Sequence, residues 1–389
     1  MARSEQELRV EAVRRRLAGE SPEAIAVSLG RSVRWVQKWV ERHQAGGEAW
    51  AAGRKRGPKR AANRTPAELE TQVVAVRERL AANPWAQIGA DAVAWELEKL
   101  GVVPPPRRTV ERILSRGGAT RRRGATGRRP SKGVPYPTVT VGRPGDLHEA
   151  DLVGPRHLGG GVRFYALNTI DLASHRCGIE IIENSSDEQV AGGLVSLWER
   201  LGLPARQQFD NGGSFVAPRG LGLVVRVCLH QGVTPRFVPP SEPWRNGTVE
   251  HFNDTFDKRF FRQERFASLT HLRERALDFE NFHNANHRYR ATNGATPAES
   301  TKATKPRTPR PLQDLPTDWP TSGRVEFVRF IRSDRKLRLL GRAIPMPDTA
   351  VYEYVTAVLD LATPSSDGNL RVLRQGEILA TASLTIAGN

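Results

Sequence analysis

Apolar positions in residues 4–45 recur at helical spacing and are interrupted twice by turn residues. Glu7 to Ala18 reads as one helix, broken by Gly19-Glu20-Ser21-Pro22. Ser21 caps the next, with Pro22 at its first position, and Gly30 ends it. Ser32 caps a third helix in which Val33, Val36 and Val40 share a face beside Trp39. The pattern returns in residues 66–116, with helices expected over 66–82, 90–100 and 109–115, the last capped by Thr109.

From residue 146 the pattern changes. HEADLVG (148–154), VRFYALNTID (162–171) and CGIEIIE (177–183) read as consecutive strands. A helix (187–202), a strand (206–210), a helix (219–232), a strand (234–239) and a long helix from Gly247 follow. Three strands and then alternating elements predict a mixed-sheet α/β domain over 146–300. Residues 322–389 carry short alternating runs separated by turns, and predict a small C-terminal all-β barrel.

Charge adds a division of labour. The chain of 389 residues has a formal charge of +17. Residues 1–145 hold 29 Lys and Arg against 14 Asp and Glu, whereas residues 146–300 hold 17 against 19. A basic arm on a near-neutral body points to a polyanion partner, nucleic acid first. The arm comprises a helix-turn-helix pattern (1–50), a basic linker (51–65), a second such pattern (66–116) and another basic linker (117–145). The residues expected to contact DNA are Arg31, Arg34 and Lys38 on the third helix, Arg54, Lys55, Arg56, Lys59 and Arg60 in the first linker, Arg107, Arg108 and Arg112 on the sixth helix, and Arg121, Arg122 and Arg123 in the second linker. Trp244 and Arg245 precede the long helix and suit base stacking and phosphate contact. No run approaches a membrane span and no signal peptide is evident, so an intracellular protein without a membrane partner is expected. Cys177 and Cys228, both in apolar stretches, read as buried free thiols.

Three acids stand where chemistry is expected. Asp151 lies amid apolar residues of the first strand, a costly place for a carboxylate without a partner. Asp210 ends the fourth strand, and strand C-termini are where ligands gather in α/β sheets. Glu250 lies in the first turn of the helix opened by Asn246-Gly247. Glu149, Asp171 and Asp254 are neighbouring acids read as structural or solvated, with Glu149 expected to point away from Asp151. His148 and His251 are likewise read as structural.

HEADLVGP (148–155), FDNGGSF (209–215) and PPSEPWRNGTVEHFNDTF (239–256) together resemble the DDE superfamily of transposases and retroviral-type integrases. NFHNANHRYRATNGATPAE (281–299) is similar to the stretch that closes such cores. The resemblance implies an RNase H-like fold for 146–300, with Asp151, Asp210 and Glu250 as both catalytic and metal-binding residues. It implies two Mg²⁺ or Mn²⁺ ions, since hard cations prefer oxygen ligands and relieve the repulsion among clustered carboxylates. It further implies binding of double-stranded transposon-end and target DNA, strand cleavage and strand transfer, a homo-oligomer, and a bacterial, cytoplasmic, nucleoid-associated setting. The gap of 39 residues between Asp210 and Glu250 exceeds the spacing common in that superfamily, and the extra residues are expected around Ala217 to Leu223. A domesticated transposase serving as a non-catalytic DNA-binding regulator is the alternative, and a nuclease acting on RNA–DNA hybrids a further one. The C-terminal β segment suits either DNA or another subunit as partner.

Overall fold

The computed structural model describes residues 4–47, 49–53, 64–119, 133–215, 221–310, 320, 322–361 and 367–385. The chain forms two compact units, Met1–Pro66 and Ala67–Asn389. In the first, α1 (Glu5–Leu17) starts two residues earlier than expected, capped by Ser4, whereas α2 (Pro22–Leu29) and α3 (Val33–Gln44) begin at the expected side-chain caps. Ser21 and Ser32 accept from the third residue of α2 and α3, and Gly30 takes the left-handed conformation (φ 62°) that ends α2. Ala12, Ile25, Ala26 and Val36 form its core. Trp39 is buried and carries the guanidinium of Arg9 at 4.3 Å from its ring.

The second unit opens with α4 (Ala67–Ala81), α5 (Ala90–Lys99) and α6 (Arg107–Arg116) around Val73, Val93, Leu97, Val110 and Ile113. α6 starts two residues earlier than expected: Pro106 is its cap, and Thr109 lies within the first turn. A three-helix fold with a helical spacing pattern gives no hint of what its loops touch. Here the α4–α5 loop is fastened to the body of the unit. Trp85 packs against Phe260, Phe279 and Phe282, donates from Nε1 to Glu264 (2.8 Å), and lies under Arg275 at 4.7 Å. Gln87 and Arg288 exchange two hydrogen bonds beside it. The last part of the basic linker is also anchored, since Tyr136 packs on Tyr354 and the Pro137 carbonyl accepts from Arg236 at 2.6 Å.

The expected strands and helices of the core follow: β1 (Leu147–His157), β2 (Arg163–Asp171), β3 (Cys177–Ile182), α7 (Asp187–Leu201), β4 (Arg206–Phe209), α8 (Leu223–His230), β5 (Thr234–Phe237), α9 (Gly247–Thr255) and α10 (Leu269–Asn286). α8 is shorter than the expected 219–232, and α9 passes into a π-helical turn, Phe256–Phe261, rather than continuing regularly. β1 to β3 form an antiparallel meander, whereas β4 pairs parallel with β1, and β5 parallel with β4. Alternate residues of β2 feed two cores: Leu167 joins that of α7 and α8, and Phe164, Ala166 and Ile170 join the phenylalanine-rich one under α9 and α10.

The C-terminal strands are present as expected: β6 (Gly323–Phe330), β7 (Lys336–Leu339), β8 (Arg342–Pro345), β9 (Tyr354–Leu361), β10 (Asp367–Arg374) and β11 (Glu377–Thr385). A separate barrel is not what they build. β6 pairs parallel with β5, and one sheet of nine strands runs β11-β10-β9-β6-β5-β4-β1-β2-β3; β7 and β8 form a separate hairpin. The seam explains why. Phe209, Phe237 and Phe327, all buried, stack in sequence across β4, β5 and β6 with centroids 5.7 and 5.2 Å apart, and Arg236 pairs with Glu326 at 2.7 Å. Strand alternation shows which face is apolar but not which edge it joins.

Candidate catalytic site

Asp151 stands mid-strand on β1, opposite Asn168 of β2. Its Oδ2 accepts from Asn253 Nδ2 at 2.6 Å and its Oδ1 from the Leu152 amide at 2.9 Å. Asn253, on α9, in turn accepts from Asn168 at 2.8 Å. Burial raises the Asp151 carboxyl to about 6, and the charges of Asp210 and Glu250 push the same way. The fold therefore brings the three expected acids into one electrostatic neighbourhood from a strand interior, a strand end and a helix start. Asp210 follows β4 and accepts from the Gly212 amide at 2.9 Å. A Cβ on Gly212 would lie 2.9 Å from that same oxygen, so glycine is what lets the loop close on Asp210.

A polar layer ties these elements together. Glu149, two residues before Asp151, is buried and accepts from the amides of Thr248 and Val249 at 2.9 and 3.0 Å, capping the helix that bears Glu250. Gln208, two residues before Asp210 and in register with Glu149, donates to Glu149 (3.2 Å) and to the Arg245 carbonyl (3.2 Å). Asn246 donates to the Ala150 carbonyl at 2.8 Å. Burial, opposed by the two capping amides, lifts the Glu149 carboxyl to about 7. The expectation that Glu149 points away from Asp151 is corrected: residues two apart on a strand share a face. The signal was available, as each strand acid has a polar residue two positions earlier; Asn253, three residues after Glu250, also lay within sequence reach.

Other nearby groups have structural roles. Burial disfavours the Asp171 charge, yet hydrogen bonds from His148, Ser174 and Gly145 outweigh it and hold the carboxyl below its ordinary value. Asp254 is exposed and paired with Lys258, and His251 is exposed. Cys177 and Cys228 are buried free thiols; Cys177 lies 3.1 Å from His283, deep under α10. Among the described residues, no three His, Cys, Asp or Glu side chains are arranged to hold a metal ion as they stand.

The expected DNA contacts divide. Arg34 and Lys38 are exposed on α3, whereas Arg31 pairs with Glu5 and lies 5.7 Å from the Trp35 ring. Arg108 and Arg112 are exposed and share a shallow groove with Arg107, which pairs with Glu111 at 2.9 Å. Arg54, Lys55, Arg56, Lys59, Arg60, Arg121, Arg122 and Arg123 lie outside the described residues, as does part of the expected insertion near Ala217. Trp244 is at the surface, 37% exposed. Arg245 is engaged within the protein: it stacks on Tyr136 at 3.9 Å, pairs with Glu242 at 3.2 Å and donates to Tyr354 at 3.2 Å.

Residues 231–297 match the integrase core domain family, and residues 3–49 the homeodomain-like domain family. The former segment carries Glu250, Asn246 and Asn253. Among solved structures, the HTLV-2 integrase catalytic core domain in complex with magnesium is similar at 12% identity and TM-score 0.33, covering 41% of this chain and 97% of that one. The BIV integrase catalytic core domain gives 19% and 0.32 over 40% of this chain and 92% of that one. A simian T-cell lymphotropic virus intasome in complex with PP2A regulatory subunit B56 gamma gives 13% and 0.38 over 77% and 92%. Those likenesses are distant, and the assignment stands on the two family segments together with the motifs. Two segments of the chain are thus similar to known families, and neither spans half of it. A homeodomain-like segment near the N-terminus precedes a segment similar to an integrase core.

Proposed function

We propose that this chain is a DNA transposase that cleaves and joins DNA strands at Asp151, Asp210 and Glu250, with residues 1–145 recognising transposon ends. The observation that carries it is the convergence of Asp151 from the interior of β1 with Asp210 from the end of β4 and Glu250 from α9, the last within the segment similar to an integrase core. A divalent cation would relieve the repulsion among these acids once they closed on it, and an all-oxygen donor set suits Mg²⁺ or Mn²⁺. Asp151, Asp210 and Glu250 would hold the metal. Two bound ions would supply Lewis-acid stabilisation of the phosphoryl oxygens and help activate water or a DNA 3′-hydroxyl.

The protein's own residues do the positioning. Asn253 fixes the Asp151 carboxylate, Gly212 that of Asp210, and Glu149 seats the first turn of α9 and hence Glu250. Each acid is thus held from a different element, so a shift of one element changes the spacing of the set. Duplex DNA and further copies of the chain would complete the working assembly.

The test is strand transfer on the element's own terminal DNA with Mg²⁺ or Mn²⁺, comparing the native chain with Asp210→Asn. Joining by the native chain alone supports the reading. Joining by Asp210→Asn removes Asp210 from it, and tight end binding without cleavage by either protein moves the weight to a DNA-binding regulator.

A further inference from the structure

Arg245 lies in the short turn Pro243–Asn246, which leads directly into α9. The backbone of this turn is tied to the strands that carry the two aspartates. The Arg245 carbonyl accepts from Gln208 at 3.2 Å, and Gln208 stands two residues before Asp210. Asn246 donates to the carbonyl of Ala150 at 2.8 Å, and Ala150 stands one residue before Asp151. Asn246 is buried, so water does not compete for this hold. Glu250 follows in the first turn of α9. The turn thus touches the strand of each aspartate and opens the helix of the glutamate.

The Arg245 side chain is held by other parts of the chain. Its guanidinium pairs with Glu242 at 3.2 Å, donates to the Tyr354 hydroxyl at 3.2 Å and lies 3.9 Å from the ring of Tyr136. Tyr354, at the start of β9, is buried and donates to Glu242 at 2.7 Å. Tyr136 belongs to the segment ahead of β1 and meets Tyr354 edge-on, with centroids 5.2 Å apart. That segment is seated by Arg236 of β5, which donates to the Pro137 carbonyl at 2.6 Å. The Tyr136 hydroxyl is buried without a partner. A stranded hydroxyl costs stability, so what Tyr136 contributes is the face of its ring, a platform for a cation. Arginine suits the other half of the contact, since a planar guanidinium can stack on a ring while donating from its edge.

We infer that Tyr136 and Arg245 are positioning residues for the acid site: the linker, through the ring of Tyr136, sets where the Pro243–Asn246 turn sits and thereby where α9 presents Glu250. The two act through the turn and touch none of the reacting atoms. The segment that joins the basic arm to the core is on this account a part of the site's support, as is β9 through Tyr354. The inference deepens the proposed strand cleavage and joining and rests on that reading for its activity readout, whereas its structural readout stands without it.

The experiment uses the full chain and compares Tyr136→Leu with Tyr136→Phe. Amide hydrogen exchange, read by mass spectrometry, should quicken several-fold across residues 247–255 in Tyr136→Leu and match the native protein in Tyr136→Phe, which keeps the ring and drops the stranded hydroxyl. Exchange in α7, on the other core, should be unchanged in both. Arg245→Lys keeps the charge but loses the stacked, edge-donating plane, so it should also quicken 247–255; it serves as the second variant should Tyr136→Leu not fold. In the strand-transfer assay Tyr136→Leu should lower the rate at saturating end DNA several-fold, leave the DNA concentration for half-maximal rate unchanged, and be rescued by Tyr136→Phe. Native exchange across 247–255 in Tyr136→Leu or in Arg245→Lys overturns the inference. So does Tyr136→Phe behaving as Tyr136→Leu, or equal quickening in α7, which would make Tyr136 a general packing residue. A native protein that joins no DNA counts against the proposed function instead, and the exchange comparison then decides this inference alone.

Discussion

Asn253→Ala tests whether the α9–β1 contact holds the site together. The substitution removes the 2.6 Å hydrogen bond to the Asp151 carboxylate, a charge-assisted bond contributing about 1.5–3 kcal/mol. It also strands the Nδ2 of Asn168, a fully buried residue whose Oδ1 already lacks a partner, at a further cost of about 1–3 kcal/mol. Asn253 is only half-buried, so water takes over part of both roles, and the expected loss is about 3 kcal/mol. Urea unfolding followed by tryptophan emission reports it, with Trp85 and Trp198 both in the larger unit. The double variant Asn168→Ala/Asn253→Ala should cost less than the sum of the single variants by about 1 kcal/mol, because removing both partners leaves fewer orphans. A loss under about 0.5 kcal/mol for Asn253→Ala would refute the claim that this contact is energetically important.

Phe237→Ala should cost about 3–5 kcal/mol, since Phe237 sits between Phe209 and Phe327 at the seam of the sheet; thermal unfolding measures it. A chain ending at residue 322 exposes that seam and the β5 edge, and circular dichroism should show no cooperative transition of the larger unit. Native-like melting of that truncation would mean the C-terminal strands fold apart. The unit should also weaken in mild acid. Burial first, and the charge of Arg259, lower His287 from 6.5 to about 4, against the opposing hydrogen bond to the Trp85 carbonyl. As pH falls the unfolded chain takes up this proton first, so the contribution is complete above about 6.5 and is lost towards 4, about 3 kcal/mol in all. His287→Gln should flatten the fall in urea midpoint between pH 7.5 and 4.5, and an equal fall in both proteins would count against His287 as its source.

Much of this molecule is decided locally. Ser21, Gly30 and Ser32 delimit the helices of the first unit, because capping and left-handed backbone are properties of a few adjacent residues. Period-two and helical spacing likewise place β1 to β5 and the helices between them, and motif resemblance picks out Asp151, Asp210 and Glu250 ahead of their acidic neighbours. Two local rules misled or were missed. Pro106, not Thr109, caps α6, and Glu149 lies on the face of Asp151.

What the sequence by itself determined is thus the elements and the basic arm, with three acids as candidates for the site. Only the tertiary structure decided that the C-terminal strands extend the sheet of the core, that Trp85 fastens the second helical group to the core, and that Arg329 reaches Asn211 from more than a hundred residues away. The reason is physical. Periodicity shows that a strand has an apolar face and an open edge, but the partner on that edge is settled by side chains such as Phe237 and Phe327, which meet only once the chain has folded. The energetic standing of a charge is settled in the same way, by whichever groups the fold brings within hydrogen-bonding distance.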